Sequence, residues 1–264
     1  MSNDISVNEA GTAGAGGRAP LTLALDTATP DRSAALVRGA RVLAARTRVR
    51  GEAGASTVLL DVDEVLREAG ARLEDVELFA AATGPGSFTG IRAGLATLMA
   101  LARAKKRQAV GVPTLEALAH AARPAERLYA VLPAGRGELF AQLLSAPVEG
   151  GVEPLGPAGH VAPAELLRRA EALGGGLKWA CGCAPEFAAQ LLPAARAAGL
   201  EARAAEGAAV EAGAGEWLVV EACGGLAVAV AALAVERVNA VGAAGAAETL
   251  RPLYVRPSDA ELKG

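Results

Sequence analysis

An α/β protein built of two related units is what this sequence predicts, and three observations carry that reading. Apolar runs of strand length alternate with longer runs of helical spacing. From residue 21 to 112 they follow the order strand, strand, strand, helix, strand, helix, strand. The pattern then begins again. LTLALDTATPDRSAALV (21–37) set above LYAVLPAGRGELFAQLL (128–144) gives the same apolar run, polar turn and apolar run at a constant offset, with Asp26 falling on Pro133.

The first unit is read as follows. Residues 21–49 break at DTATPD and again at RGA, which makes a three-stranded meander with tight turns. STVLLDVDEVLREAG carries Val58, Val62, Val65, Leu66 and Ala69 at helical spacing, with Ser56 placed to cap the start and Gly70 to end the helix. VELFAAAT is a buried strand, ATGPGSFTGIRAGLA a glycine-rich junction, and IRAGLATLMALARA a second helix with Ile91, Leu95, Leu98, Met99 and Ala102 on one side. QAVGVP closes the unit. This order is that of a ribonuclease-H-like unit, so two such subdomains, each a mixed five-stranded-type sheet with helices, are expected to meet at a cleft. Domain bounds follow: a tail over 1–20, one subdomain over 21–112 and a second over 113–264, with the last helix expected to pack back on the first. Within the second, PAELLRRAEALG reads as a helix, and PEFAAQLLPAARAAG is ambiguous.

Composition narrows the function. Of 264 residues 52% are hydrophobic but only 3% aromatic, which predicts an aliphatic core. The 26 Lys and Arg against 29 Asp and Glu give no footprint of a dedicated nucleic-acid binder, so any RNA contact is expected to belong to a partner. Cys181, Cys183 and Cys223 form no zinc-type pair of pairs, and an odd count argues against a secreted disulfide framework; a cytoplasmic location is expected. The start of the chain lacks the basic and apolar regions of a signal peptide and reads as a disordered tail. ACGGLAVAVAALAV (222–235) is too short to span a bilayer and reads as a buried helix, so no membrane anchor is expected.

Chemistry could reside in two places. Glycines in GPGSFTG would let backbone pass close to an anion at a helix start, but the lysine of a Walker loop and the GxGxxG spacing are both missing. The competing reading is a tight turn with Ser87 or Thr89 as N-cap. Asp26, at the end of the first buried strand with Thr27 and Thr29 after it, stands where a carboxylate could hold Mg²⁺ and phosphate, or where it could cap its own hairpin. Gly-x-Ser-x-Gly is absent, and His120 and His160 form no metal-binding pair, so no metal is expected and each histidine reads as a surface or structural residue.

Taken together, LALDTATPDRSAALV, GPGSFTGIRAGLATLMALA, VGVPTLEALA and RPLYVRPSDAE resemble the TsaB (YeaZ) family of bacteria. The likeness spans about residues 21–140 and the extreme C-terminus, and is most specific from Gly84 to Leu118. It implies the fold of actin, sugar kinases and Hsp70-type ATPases, and kinship with the TsaD (glycoprotease) family without its metal-binding histidine pair. It implies a non-catalytic scaffold in the synthesis of N6-threonylcarbamoyladenosine beside the anticodon of tRNA. Such a subunit pairs with and stabilises the transferase TsaD, or pairs with a second copy of itself when TsaD is missing; TsaE joins the complex. The tRNA is met only through that complex. No cofactor is required of the chain, while ATP or ADP has a place at the partner interface. By the resemblance, Val58, Leu59, Val62, Ile91, Leu95 and Leu98 form the partner interface, and Asp26, Thr27, Gly84, Gly86 and Ser87 are a vestigial phosphate region with no catalytic residue. The sequence departs from the family at Ala55-Ser56, where His-Ser is common, and at Pro133, where a carboxylate is common. Without that carboxylate, independent ATP hydrolysis is not expected; the alternative is a small-molecule kinase or ATPase using Asp26 and the glycine loop.

Overall fold

The computed structural model describes residues 18–49, 58–205, 210–222, 224–247 and 250–255. The tail expected over most of residues 1–20, Ala55, Ser56 and Cys223 lie outside the described residues.

Three strands open the chain, β1 (Leu21–Asp26), β2 (Arg32–Arg38) and β3 (Arg41–Arg48), followed by α1 (Val58–Glu68), β4 (Leu78–Ala82), α2 (Phe88–Lys105), β5 (Gln108–Val112) and α3 (Thr114–Ala121). The second half repeats the scheme with β6 (Ala125–Gly135), β7 (Glu138–Ala146), the short β8 (Glu153–Pro154) and β9 (Gly159–Val161), then α4 (Pro163–Leu173), β10 (Leu177–Cys181) and α5 (Pro185–Ala197). It ends with β11 (Glu201–Ala205), β12 (Glu216–Glu221) and α6 (Leu226–Ala247), whose helical path breaks at Gly242.

The first sheet runs β3-β2-β1-β4-β5, antiparallel within the meander and parallel from β1 to β4 to β5. The second runs β11-β12-β10-β6-β7-β8, with β9 also on β7. Its centre reproduces the first sheet: β6 is antiparallel to β7 and parallel to β10, and β10 is parallel to β12. Seven strands rather than five result, because α5 leads to an added outer strand β11 and the third position is shared by β8 and β9.

Local chemistry explains the ends. Gly70, at φ 63, follows α1, where the Ala71 N–H reaches the Leu66 carbonyl at 2.9 Å, so the glycine expected to stop the helix does so in a left-handed turn. The ambiguous segment 185–199 is helical despite Pro193, with Phe187, Leu191 and Ala195 buried on one face. Of the apolar run at 222–235, residues 226–235 form the start of α6, and among the described residues no helix is long and apolar enough to cross a membrane.

The helices that close each half are exchanged. α3 follows the first sheet yet packs on β6 and β7, while α6 follows the second sheet and packs on β1, β2, β4 and β5; the two also touch each other. Arg237 of α6 donates to the Gly111 carbonyl at 2.9 Å and pairs with Glu116 of α3 at 2.5 Å. An aliphatic core therefore runs through the first sheet and both exchanged helices. The core is not aliphatic throughout, as composition led one to expect. Four of the eight aromatics gather under α4 and α5, where Trp179 meets Tyr129, Trp217 and Phe187 at centroid distances of 5.2, 5.3 and 5.7 Å, while Phe79 and Phe140 lie in the mainly aliphatic cluster.

Candidate functional site

The β1–β2 turn and the glycine-rich junction between β4 and α2 form one corner. Asp26 is 0% exposed. Its Oδ1 accepts the N–H groups of Ala28 at 2.9 Å and Thr29 at 3.4 Å, and its Oδ2 accepts the Thr29 hydroxyl. Burial pushes this carboxyl up from the ordinary carboxylate range, opposed by the hydrogen bonds from Thr29 and Ala28. Of the two readings open for Asp26, the geometry is that of a carboxylate capping its own hairpin. Thr27 turns its hydroxyl to the Gly90 carbonyl at 2.7 Å.

The glycines answer to this turn. The Ser87 N–H donates to the Ala28 carbonyl at 2.8 Å, and the Ser87 hydroxyl caps α2 by accepting from the Gly90 N–H at 3.2 Å. A Cβ on Gly86 would run into the Ala28 carbonyl, and one on Gly90 into the Thr27 carbonyl. On Gly94 it would meet the Thr27 hydroxyl, and on Gly84 it would lie 2.7 Å from the Leu253 carbonyl, whose own N–H pairs with the Thr83 carbonyl at 2.8 Å. The close approach that could have served a phosphate is made instead by Thr27, Ala28 and Leu253 of the same chain. Tyr254 then stacks on Phe88 at 5.1 Å and accepts from Arg92 Nε at 3.1 Å.

Beyond the corner, a cleft of about 440 Å³ separates the two turns, lined among others by Pro30, Pro133, Cys183, Phe187, Glu138 and Glu186. Its charged lining groups are both carboxylates, the wrong sign for a phosphate, and Cys183 Sγ points to Asp31 Oδ2 at 3.7 Å. Among the described residues no cluster of His, Cys, Asp and Glu could hold a metal ion. His120 is largely buried beside Glu236.

The third feature is the outer surface of α1 and α2. Of the six residues assigned to a partner interface, Val62, Ile91, Leu95 and Leu98 are buried against the chain's own core, Val58 is half-buried, and Leu59 is 56% exposed. The strongest apolar period on each helix faces its own sheet. What the pair exposes is Leu59, Leu60 and Met99, the last two at 45% and 49%, beside Ala93, Ala96 and Ala100. Leu60 carries no apolar period in the sequence, since the residue after it, Asp61, is polar yet buried. Asp61 sits between Arg32 Nε at 2.8 Å and Arg48 Nε at 3.0 Å, and Arg48 also reaches Glu64, which fastens α1 to the meander.

Two ribonuclease-H-like units, joined through exchanged helices across a cleft, define a protein of the actin, Hsp70 and sugar-kinase class. Residues 55–171 match the family described as "TsaD: tRNA N6-adenosine threonylcarbamoyltransferase". The "tRNA threonylcarbamoyladenosine biosynthesis protein TsaB" of Haemophilus influenzae is 35% identical over 126 residues, 45% of this chain and 51% of the relative. Its Escherichia coli counterpart is 34% identical over 121 residues, again 45% of this chain and 52% of the relative. The chain thus matches about half the length of these curated relatives. A solved Pseudomonas aeruginosa protein described as similar to peptidase YEAZ superposes with a TM-score of 0.66 at 25% identity, over 90% of this chain and all of the other. YeaZ from the same organism shares the fold with a TM-score of 0.62 at 23% identity, over 89% of this chain and 99% of that one. The chain therefore resembles the TsaB (YeaZ) proteins, in sequence over about half the length of the curated relatives and in fold over nearly its whole length.

Proposed function

We propose that this chain is the non-catalytic, dimerising subunit of the assembly that makes N6-threonylcarbamoyladenosine on tRNA, and that it pairs with a TsaD-type transferase through the outer surface of α1 and α2. The observation that carries the reading is the pairing of an exposed Leu59, Leu60 and Met99 surface with a phosphate-side corner filled by the chain's own backbone. An apolar surface on two helices suits burial against another helix pair, its alanines allowing close approach. With Asp26 engaged in its own turn and Pro133 at the equivalent position of the second unit, the chain lacks the means to activate a phosphoryl group alone. TsaE joins the assembly, and a second copy of the chain takes the transferase's place when it is missing.

The test is reconstitution of the modified nucleoside from the chain, TsaD, TsaE, threonylcarbamoyl-adenylate and unmodified tRNA. Product should depend on the chain, and the double substitution Leu59→Arg with Met99→Arg should abolish co-purification with TsaD while leaving the thermal midpoint of the chain within a few degrees. Product formation without the chain overturns the reading. So does ATP turnover by the isolated chain that is lost in Asp26→Ala, the result a kinase or ATPase would give.

A further inference from the structure

The net charge of −3 conceals a local excess of positive charge. RAKKR (103–107) occupies the end of α2, and Arg103, Lys106 and Arg107 are all exposed. Several cations of the same half are paired: Arg32 and Arg48 with Asp61, Arg46 with Glu68, Arg38 with Glu77, and Lys105 with Glu74 at 2.5 Å. Arg103, Lys106 and Arg107 make no ion pair among the described residues.

Their placement is rigid. The Arg107 N–H donates to the Ala102 carbonyl at 2.9 Å and the Lys106 N–H to the Arg103 carbonyl at 3.2 Å, a turn that ends the helix with Lys106 left-handed at φ 53 and ψ 41. Glycine is the residue that adopts this conformation freely, and a lysine there is strained. Arg103 lies one turn beyond Ala100, the last of the exposed Ala93, Ala96 and Ala100, so the cations stand past the end of the surface proposed above to meet the partner and outside it.

We propose that the basic end of α2, through Arg103, Lys106 and Arg107, binds the phosphate backbone of the RNA on which the assembly acts. The proposal rests on the function proposed above for the identity of that RNA. Three unneutralised cations held at fixed positions beside a protein interface suit a polyanion that must lie across two subunits, and they add affinity without reading sequence.

Binding of an unmodified tRNA transcript to the complex of chain and TsaD is to be measured from 50 to 200 mM salt. The triple variant Arg103→Glu, Lys106→Glu, Arg107→Glu should keep its affinity for TsaD and bind the transcript about tenfold or more weakly, with a log–log salt slope shallower by about 2, since each phosphate contact contributes about 0.7–0.9. Lys106→Gly removes one cation while relieving the left-handed strain, so it should fold at least as well and still lose about one contact's share of the slope. Reversing Arg168 and Arg169, which pair with Glu165 on α4, should change neither quantity. Unchanged affinity and slope in the triple variant overturn the proposal, as does loss of TsaD binding with RNA affinity per complex intact, the signature of an acidic protein partner. If the unaltered chain forms no complex with TsaD, the function proposed above has failed; the basic end is then judged on the chain alone, by whether the triple variant loses salt-dependent binding to the transcript.

Discussion

Gly90 illustrates how a residue type can be legible while its reason is not. Glycines at a strand-to-helix junction advertise close approach, but whether a ligand or the chain itself makes that approach depends on residues more than 60 positions away. Here the Thr27 carbonyl lies against the Gly90 Cα, so Gly90→Ala should destabilise by about 3 kcal/mol through overpacking of backbone against backbone. Gly151→Ala, where a Cβ meets open space, should lie within about 0.5 kcal/mol of the parent. Urea midpoints of the two variants decide this; equal midpoints would mean the corner is looser than its contacts imply. Lys178 is a second case. It is almost wholly buried, with Nζ donating to the carbonyls of Val210 at 2.6 Å and Pro124 at 3.2 Å, and burial pulls its ammonium down to about 8 from an ordinary 10.5. Below pH 8 both folded and unfolded chains are protonated, and the fold bears the full cost of the buried charge. Between about 8 and 10.5 the unfolded chain holds more protons, so stability rises with pH. The parent should therefore gain on Lys178→Met as the pH is raised from 7 to 10, measured by denaturant midpoints at each pH.

At the scale of elements, the sequence marks helices by their inward faces. The stripe of Ile91, Leu95, Leu98 and Ala102 is the clearest period in α2, and it is clear because it builds the core. The outward stripe of alanines carries almost no periodic signal, so the surface proposed to meet the partner is evident from exposure alone. The basic run at 103–107 was legible as letters, yet whole-chain charge balance hid it, since the carboxylates that offset it lie elsewhere. Helix α1 is held by charge as much as by apolar contact: Asp61, buried between Arg32 and Arg48, is its main polar tie to the meander. Asp61→Ala should cost about 1.5–3 kcal/mol by removing the buried acceptor that Arg32 and Arg48 share, with Arg48 keeping Glu64, a loss visible as a lowered thermal midpoint. TsaD affinity should fall with it, because Leu59 and Leu60 ride on the same helix. Retained affinity at a lowered midpoint would place the main contact on α2.

For the molecule as a whole, the repeat between residues 21–37 and 128–144 foretold two related sheets, and the strand orders agree with it. The extra outer strand β11 and the divided third position are not legible in the sequence, because that stretch is rich in alanine, glycine and proline, which carry weak periodicity. By itself the sequence determined the order and type of the central elements, the stop at Gly70 and the resemblance to a family, because each is written in local spacing or in a contiguous motif. Only the tertiary structure decided that α3 crosses to the second sheet, that Ser87 rather than Thr89 caps α2, that Asp26 is engaged in its own turn, and that the glycine corner is filled by Thr27, Ala28 and Leu253. Those outcomes rest on contacts between residues far apart in the chain. Burial and close approach belong to pairs of surfaces, and no single stretch of sequence records both members of a pair.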